Sequence, residues 1–152
     1  MKVPEYITKE EVRRVCRELG IRDWSILKEP VIPAKEAEAV LRALDVPSMN
    51  VDLSVFKSGL EVELEHGTRY PEANVTNNHP IITGRIVVAH LKESMDYYLR
   101  LAVAEAEGDL LSAILSGDGK RAARKLRALA EARAEVARAE QTQLENITKP
   151  EN

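Results

Sequence analysis

Gly59-Leu-Glu-Val-Glu-Leu-Glu-His-Gly67 and its partner Ala89-His-Leu-Lys-Glu93 decide how the rest of the chain is read. Each places a glutamate and a histidine three residues apart: Glu63 with His66, and His90 with Glu93. Positions i and i+3 of an α-helix face the same way. The order is reversed between the two stretches. If they form neighbouring antiparallel helices, two imidazoles and two carboxylates converge across the interface. A buried ionised carboxylate is unfavourable unless it is paired or bound to metal. Two readings therefore stand open. One is a metal site with Glu63, His66, His90 and Glu93 as ligands. The other is a metal-free polar network that locks the two helices together.

Carboxylate and imidazole together suit Fe, Mn or Zn. Glu-x-x-His on a helix is also the unit of ferritin-like di-metal bundles. Such a dinuclear site needs two further carboxylates. Glu61 and Glu65 are the nearest in sequence, although helical geometry turns them partly away, and a symmetric dimer is another source. His79 is a weaker candidate ligand and is expected to be a solvent-exposed residue at a helix start. Tyr97 follows Glu93 by one turn, where its hydroxyl would support a ligand by a hydrogen bond or simply fill the core. Asp96 is expected to be exposed.

The surrounding periodicities predict helices throughout. Thr8-Lys-Glu-Glu11 is a capping box. The helix behind it carries Val12, Val15, Cys16 and Leu19 on one face and stops at Gly20. Residues 21–32 read as irregular, anchored by Trp24 and Leu27. Pro33 opens a second helix over 34–44. Asp52 caps the first central helix, with Leu53, Phe56, Leu60 and Leu64 inward and Gly67 at its end. Gly59 lies inside this helix, where it would permit close approach of a neighbour. After a polar loop, Pro80 opens the second central helix. Ile86, His90, Glu93, Tyr97, Leu101 and Ala104 share one face of it, and Gly108 is expected to bend or break it. Residues 117–119 form a turn. A last helix over about 120–145 presents Ala122, Leu126, Leu129, Ala132, Val136 and Ala139 as a narrow stripe, and a disordered tail is expected over 148–152.

Composition limits the classes of function. The chain has 152 residues, 31% of them charged, and a formal net charge of −3, so nothing pulls it globally toward nucleic acid. The basic cluster Lys120, Arg121, Arg124, Lys125 and Arg127 is followed by Glu131, Glu135 and Glu140 and reads as a solvated helix face, so nucleic acid is an unlikely partner. A single cysteine, Cys16, excludes an intrachain disulfide and a cysteine-based zinc cluster. Cys16 itself reads as a small core residue. A reducing compartment is expected. The N-terminal stretch has no signal-peptide pattern, and no run approaches the roughly 18 apolar residues of a membrane span. There is neither a phosphate-binding glycine loop nor a nucleophile elbow.

The run Phe56–Gly67, followed by Asn74-Val-Thr-Asn77, Pro80, Thr83-Gly84, Ala89–Glu93 and Asp96-Tyr-Tyr98, resembles a family of short bacterial and tailed-phage proteins of unknown function. The resemblance covers about residues 52–101, and the first helix with Leu19-Gly20-Ile21 looks similar too. The segment from about 25 to 50 and everything after about 105 look like additions. The resemblance implies that Glu63, Glu65, His66, His90 and Glu93 belong to the family signature, and that an acidic residue is common where this chain has His79. It carries no established activity, and it implies a phage or virion context.

These readings converge on an all-α chain of about five helices around a central antiparallel hairpin, a ferritin-like half-bundle. Residues 1–50 form an N-terminal helical segment, 51–106 the hairpin with the Glu/His cluster, and 107–147 a long C-terminal helix, together one domain. The expected function is metal binding at Fe, Mn or Zn, with oxygen or peroxide chemistry as the natural class for an enzyme. The alternative is a non-enzymatic structural or assembly protein of a phage particle. A homo-oligomer without a membrane partner is expected, located in the cytoplasm or the virion.

Overall fold

A computed structural model describes residues 6–46 and 49–148. Six α-helices follow in order: α1 (Lys9–Leu19), α2 (Ala34–Leu44), α3 (Leu53–Arg69), α4 (Pro80–Glu93), α5 (Tyr97–Leu115) and α6 (Gly119–Thr148). Short 3-10 turns occupy Trp24–Ile26 and Pro71–Ala73. No strand occurs among the described residues, so the fold is all-helical. The chain divides into two compact units, Met1–Glu93 and Ser94–Asn152.

In the first unit the predicted caps form. Thr8 accepts a hydrogen bond from the Glu11 amide at 3.2 Å, and Gly20 closes α1 at φ 67° with the Ile21 amide bonded back to Cys16 O. Asp52 accepts from the Ser54 and Val55 amides at the start of α3. Helices α2, α3 and α4 pack on one another, and α1 touches α2 and α4. Val12, Cys16, Trp24, Ala37, Val40, Phe56, Leu60, Leu64, Val87 and Leu91 are buried between them. Gly84 marks the closest approach. A Cβ there would stand 2.8 Å from Leu44 Cδ1 and 2.9 Å from Val40 Cγ1, so only glycine lets α2 lie this near α4.

Three helix boundaries differ from the sequence expectations. Helix α3 passes through Gly67 and ends at Arg69. Gly67 is needed there for space: a Cβ would fall 2.1 Å from Asn78 Oδ1 and 2.8 Å from Asn74 Cγ. The second central helix is two helices, α4 and α5, separated at Ser94–Asp96, which makes six helices rather than five. Gly108 neither bends nor breaks the chain but lies within α5.

The second unit is a hairpin of α5 and α6 joined through Ser116–Asp118, with Gly117 at φ 71°. Tyr98, Ala113 and Leu129 are its buried apolar residues. Leu126, expected on the inward stripe of α6, is 57% exposed. Asp96, expected to be exposed, is only 3% exposed. It accepts from the Ser94 hydroxyl and from Arg100 Nε and Nη2 at 3.1 and 2.7 Å. Arg100 also reaches Glu140 Oε1 at 2.8 Å, which ties the start of α5 to the far part of α6. The Arg100 guanidinium holds the Asp96 carboxyl below its ordinary pKa. Of the expected tail, Thr148 is the last residue of α6, and residues 149–152 lie outside the described residues.

Candidate functional site

Glu63 stands on the third turn of α3 and His90 on the last turn of α4, and packing of the two helices brings them together. His90 Nε2 lies 3.6 Å from Glu63 Oε1, and His90 Nδ1 lies 3.9 Å from Glu93 Oε2. The two carboxylates therefore flank opposite nitrogens of one ring. Both separations exceed a direct N–H···O hydrogen bond. The Glu63 side chain is 15% exposed and that of Glu93 is 69% exposed, so the cluster is half-sunk, with Glu93 at its solvent edge.

The remaining candidates lie elsewhere or are otherwise engaged. His66 is exposed on α3 and is not among the groups that meet His90. Glu61 accepts from the Ile32 amide at 3.0 Å and from Lys57 Nζ at 2.6 Å, which fastens the irregular segment before α2 onto α3. Glu65 pairs with Arg69 at 2.6 Å. Tyr97 belongs to the second unit, where its ring meets that of Tyr98 edge-to-face at 5.2 Å between centroids. No group of three or more His, Cys, Asp or Glu side chains among the described residues is arranged to hold a metal ion.

His79 is not the exposed residue expected. It is 7% exposed, and its Nδ1 accepts from the Ile82 amide at 3.4 Å, so it caps the start of α4. Burial pushes its pKa below the ordinary histidine value, against the opposing pull of Glu11.

Two polar constellations escaped the sequence reading. Glu36, 6% exposed on α2, accepts from Trp24 Nε1 at 2.9 Å, Arg22 Nε at 2.7 Å and the Arg22 amide at 3.2 Å. Burial pushes its pKa up, but the Arg22 and Trp24 donors outweigh that, and the net shift is downward. Its signal was a lone acid at an inward position of α2 with an arginine and a tryptophan upstream. The second constellation is the loop before α4. Asn74 donates to Gly67 O and accepts from the Asn78 amide, Asn78 donates to Trp24 O, and Asn77 donates to Ile7 O. Asn77 and Asn78 both have positive φ, a conformation asparagine tolerates better than most residues. Beside this loop lies a cavity of about 350 Å³ with Lys9, Lys28 and Thr68 in its wall.

A family described as a protein of unknown function, DUF5661, matches residues 12–107. The chain belongs to this family. The DUF5661 match includes Glu63, His66, His90 and Glu93, and it spans the segment 25–50 that looked like an addition. It ends at Glu107, inside α5, and leaves α6 outside. Neither the comparison with curated proteins nor that with solved structures found a match. No helix among the described residues is long and apolar enough to cross a membrane.

Proposed function

We propose that this chain is a non-enzymatic structural or assembly module in which Glu63, His90 and Glu93 form a protonatable clasp between α3 and α4. The observation that carries the reading is the placement of the two carboxylates on opposite edges of one imidazole. A ring in that position is suited to bridging two acids as an imidazolium. A metal takes only one of its nitrogens, which leaves fewer protein donors than the three or four of an ordinary site. The phage or virion setting that the family resemblance implies suits such a module.

A second reading rests on the same pair of distances. Glu63 and Nε2 would be the start of a site for Fe, Mn or Zn, and Glu93 at Nδ1 would fix the ring from behind, as carboxylates do for metal-bound histidines. A ferritin-like half-bundle of this sort would need further carboxylates from a second chain.

Elemental analysis separates the two, on protein purified without chelator or affinity tag, beside His66→Ala and His90→Ala variants. The clasp predicts no stoichiometric metal, a stability loss on the order of 1 kcal/mol in His90→Ala, and no change in His66→Ala. Stoichiometric Fe, Mn or Zn that disappears in His90→Ala would transfer the function to the metal reading.

A further inference from the structure

We infer that the cavity beside the loop before α4 is a binding site for a small, hydroxyl-bearing phosphate monoester. The site lies wholly within the first unit and does not depend on the Glu63–His90 reading.

Three stretches far apart in sequence meet at this cavity: the start of α1 at Lys9, the chain around residues 25–28, and the end of α3 with the loop that follows it. Asparagines cross-link them. Asn77 donates to Ile7 O at 2.6 Å, Asn78 donates to Trp24 O at 3.3 Å, and Asn74 joins Gly67 O to the Asn78 amide. These bonds fix the wall but leave about 350 Å³ open inside it. Protein interiors are otherwise close-packed, and a space of this size is on the scale of a small-molecule site.

The charge of the wall selects the guest. Lys9 and Lys28 line the cavity, and no aspartate or glutamate among the described residues does. Among the described residues neither lysine is held in an ion pair. The acids that follow Lys9 on α1 are turned to other partners, Glu10 to Arg13 at 3.4 Å and Glu11 to Arg14 at 2.6 Å. Glu29 and Glu72 are exposed and stand outside the wall. Two ammonium groups with no carboxylate between them suit a dianion. A phosphate monoester carries a charge of about −1.5 to −2 near neutral pH, and lysine holds phosphate as a point charge. Lys9 is also the first residue of α1, where the helix dipole favours negative charge.

The hydroxyls of the wall select the body of the guest. Ser25 Oγ donates its proton to Asp23 Oδ1 at 2.6 Å, and Thr68 Oγ1 donates its own to Leu64 O at 3.0 Å. Each oxygen is left as an acceptor. A guest that carries hydroxyl donors satisfies them, and an apolar body does not.

The test is isothermal titration calorimetry on the full chain at constant ionic strength, with glycerol 2-phosphate, inorganic phosphate and succinate as probes. The variants are the double substitution Lys9→Gln/Lys28→Gln and Lys35→Gln, which alters an exposed lysine of α2 outside the wall. Lys9 and Lys28 are exposed, so far-UV circular dichroism of the double variant should match the wild type. Glycerol 2-phosphate should bind one to one, more tightly than inorganic phosphate and at least about tenfold more tightly than succinate. The double variant should lose at least about tenfold in affinity for it, and Lys35→Gln should lose none. A chain that gives no saturable heat with glycerol 2-phosphate at millimolar concentration would overturn the inference, leaving a cavity that holds water. Equal affinity for succinate would also overturn it, since any dianion would then serve, and so would binding that the double variant leaves intact.

Discussion

At the scale of single residues, stability in this chain hangs on buried groups that sequence pattern alone does not rank. Asp96 is sealed between the Ser94 hydroxyl and the Arg100 guanidinium. Asp96→Asn should destabilise the second unit by about 2 kcal/mol, the usual worth of hydrogen bonds to a charged group, and hydrogen exchange of the α5 and α6 amides would measure it. Its folded pKa is lowered, so the stabilisation it gives is complete above the unfolded carboxylate value of about 4 and is lost as pH falls through the folded one.

His79 works from a different origin. Its folded pKa is also lowered, by burial, so the unfolded chain takes up the proton first. Stability of the first unit should therefore fall as pH drops below about 6.5. Around it Glu11 favours the charged form, while Arg14 and Arg85 oppose it. A His79→Asn variant should melt with a flatter pH profile between 7 and 5 than the wild type, and equal profiles would remove His79 as the cause. Glu36→Ala should cost on the order of 3 kcal/mol, because it strands the buried Trp24 Nε1–H. A red shift of Trp24 emission would accompany it.

At the scale of elements, the local signals were the readable ones. The Thr8 capping box, the left-handed Gly20 and the Asp52 cap each involve contacts within a few residues, and each element formed where the pattern put it. The α4–α5 break was hidden because the apolar stripe keeps phase across it: Tyr97 and Leu101 follow Glu93 at helical spacing although the backbone leaves the helix between them. The cue was Ser94-Met-Asp96, two residues that favour caps over helix interiors. Gly67 misled for a related reason. Glycine ends many helices, but here it is required by two asparagines that approach from a distant loop.

The same crowding gives a prediction for α4. Gly84→Ala would press a methyl against Val40 and Leu44 and should destabilise by about 1–3 kcal/mol. A thermal melt no lower than that of the wild type would show that α2 can move away at no cost. Of the candidate site, the Glu63, His90 and Glu93 neighbourhood was legible from spacing alone. The exposure of His66 was not, because it depends on which side of α3 the other helices cover.

At the scale of the whole molecule, the family match and the division into units do not coincide. The match runs to Glu107, beyond the Ser94 boundary, and stops partway along α5. The first unit has a core of large buried side chains, whereas the hairpin buries Tyr98, Ala113 and Leu129. With so few buried apolar side chains, α5 and α6 should melt at a lower temperature than the first unit at every protein concentration. Calorimetry over a concentration series would resolve the two.

The chain also carries its own instruments for separating those events. Its only tryptophan and its only cysteine lie side by side in the first unit, with the Trp24 amide donating to Cys16 Sγ at 3.4 Å. Cys16 is 1% exposed, and burial pushes its thiol pKa up. A thiol reagent can react there only when the N-terminal helices open, so the labelling rate counts openings of that unit and is blind to the hairpin. Tyr97 and Tyr98 are the only aromatic residues of the hairpin. Trp24 emission and Cys16 labelling thus give the first unit an optical and a chemical clock that the hairpin does not share.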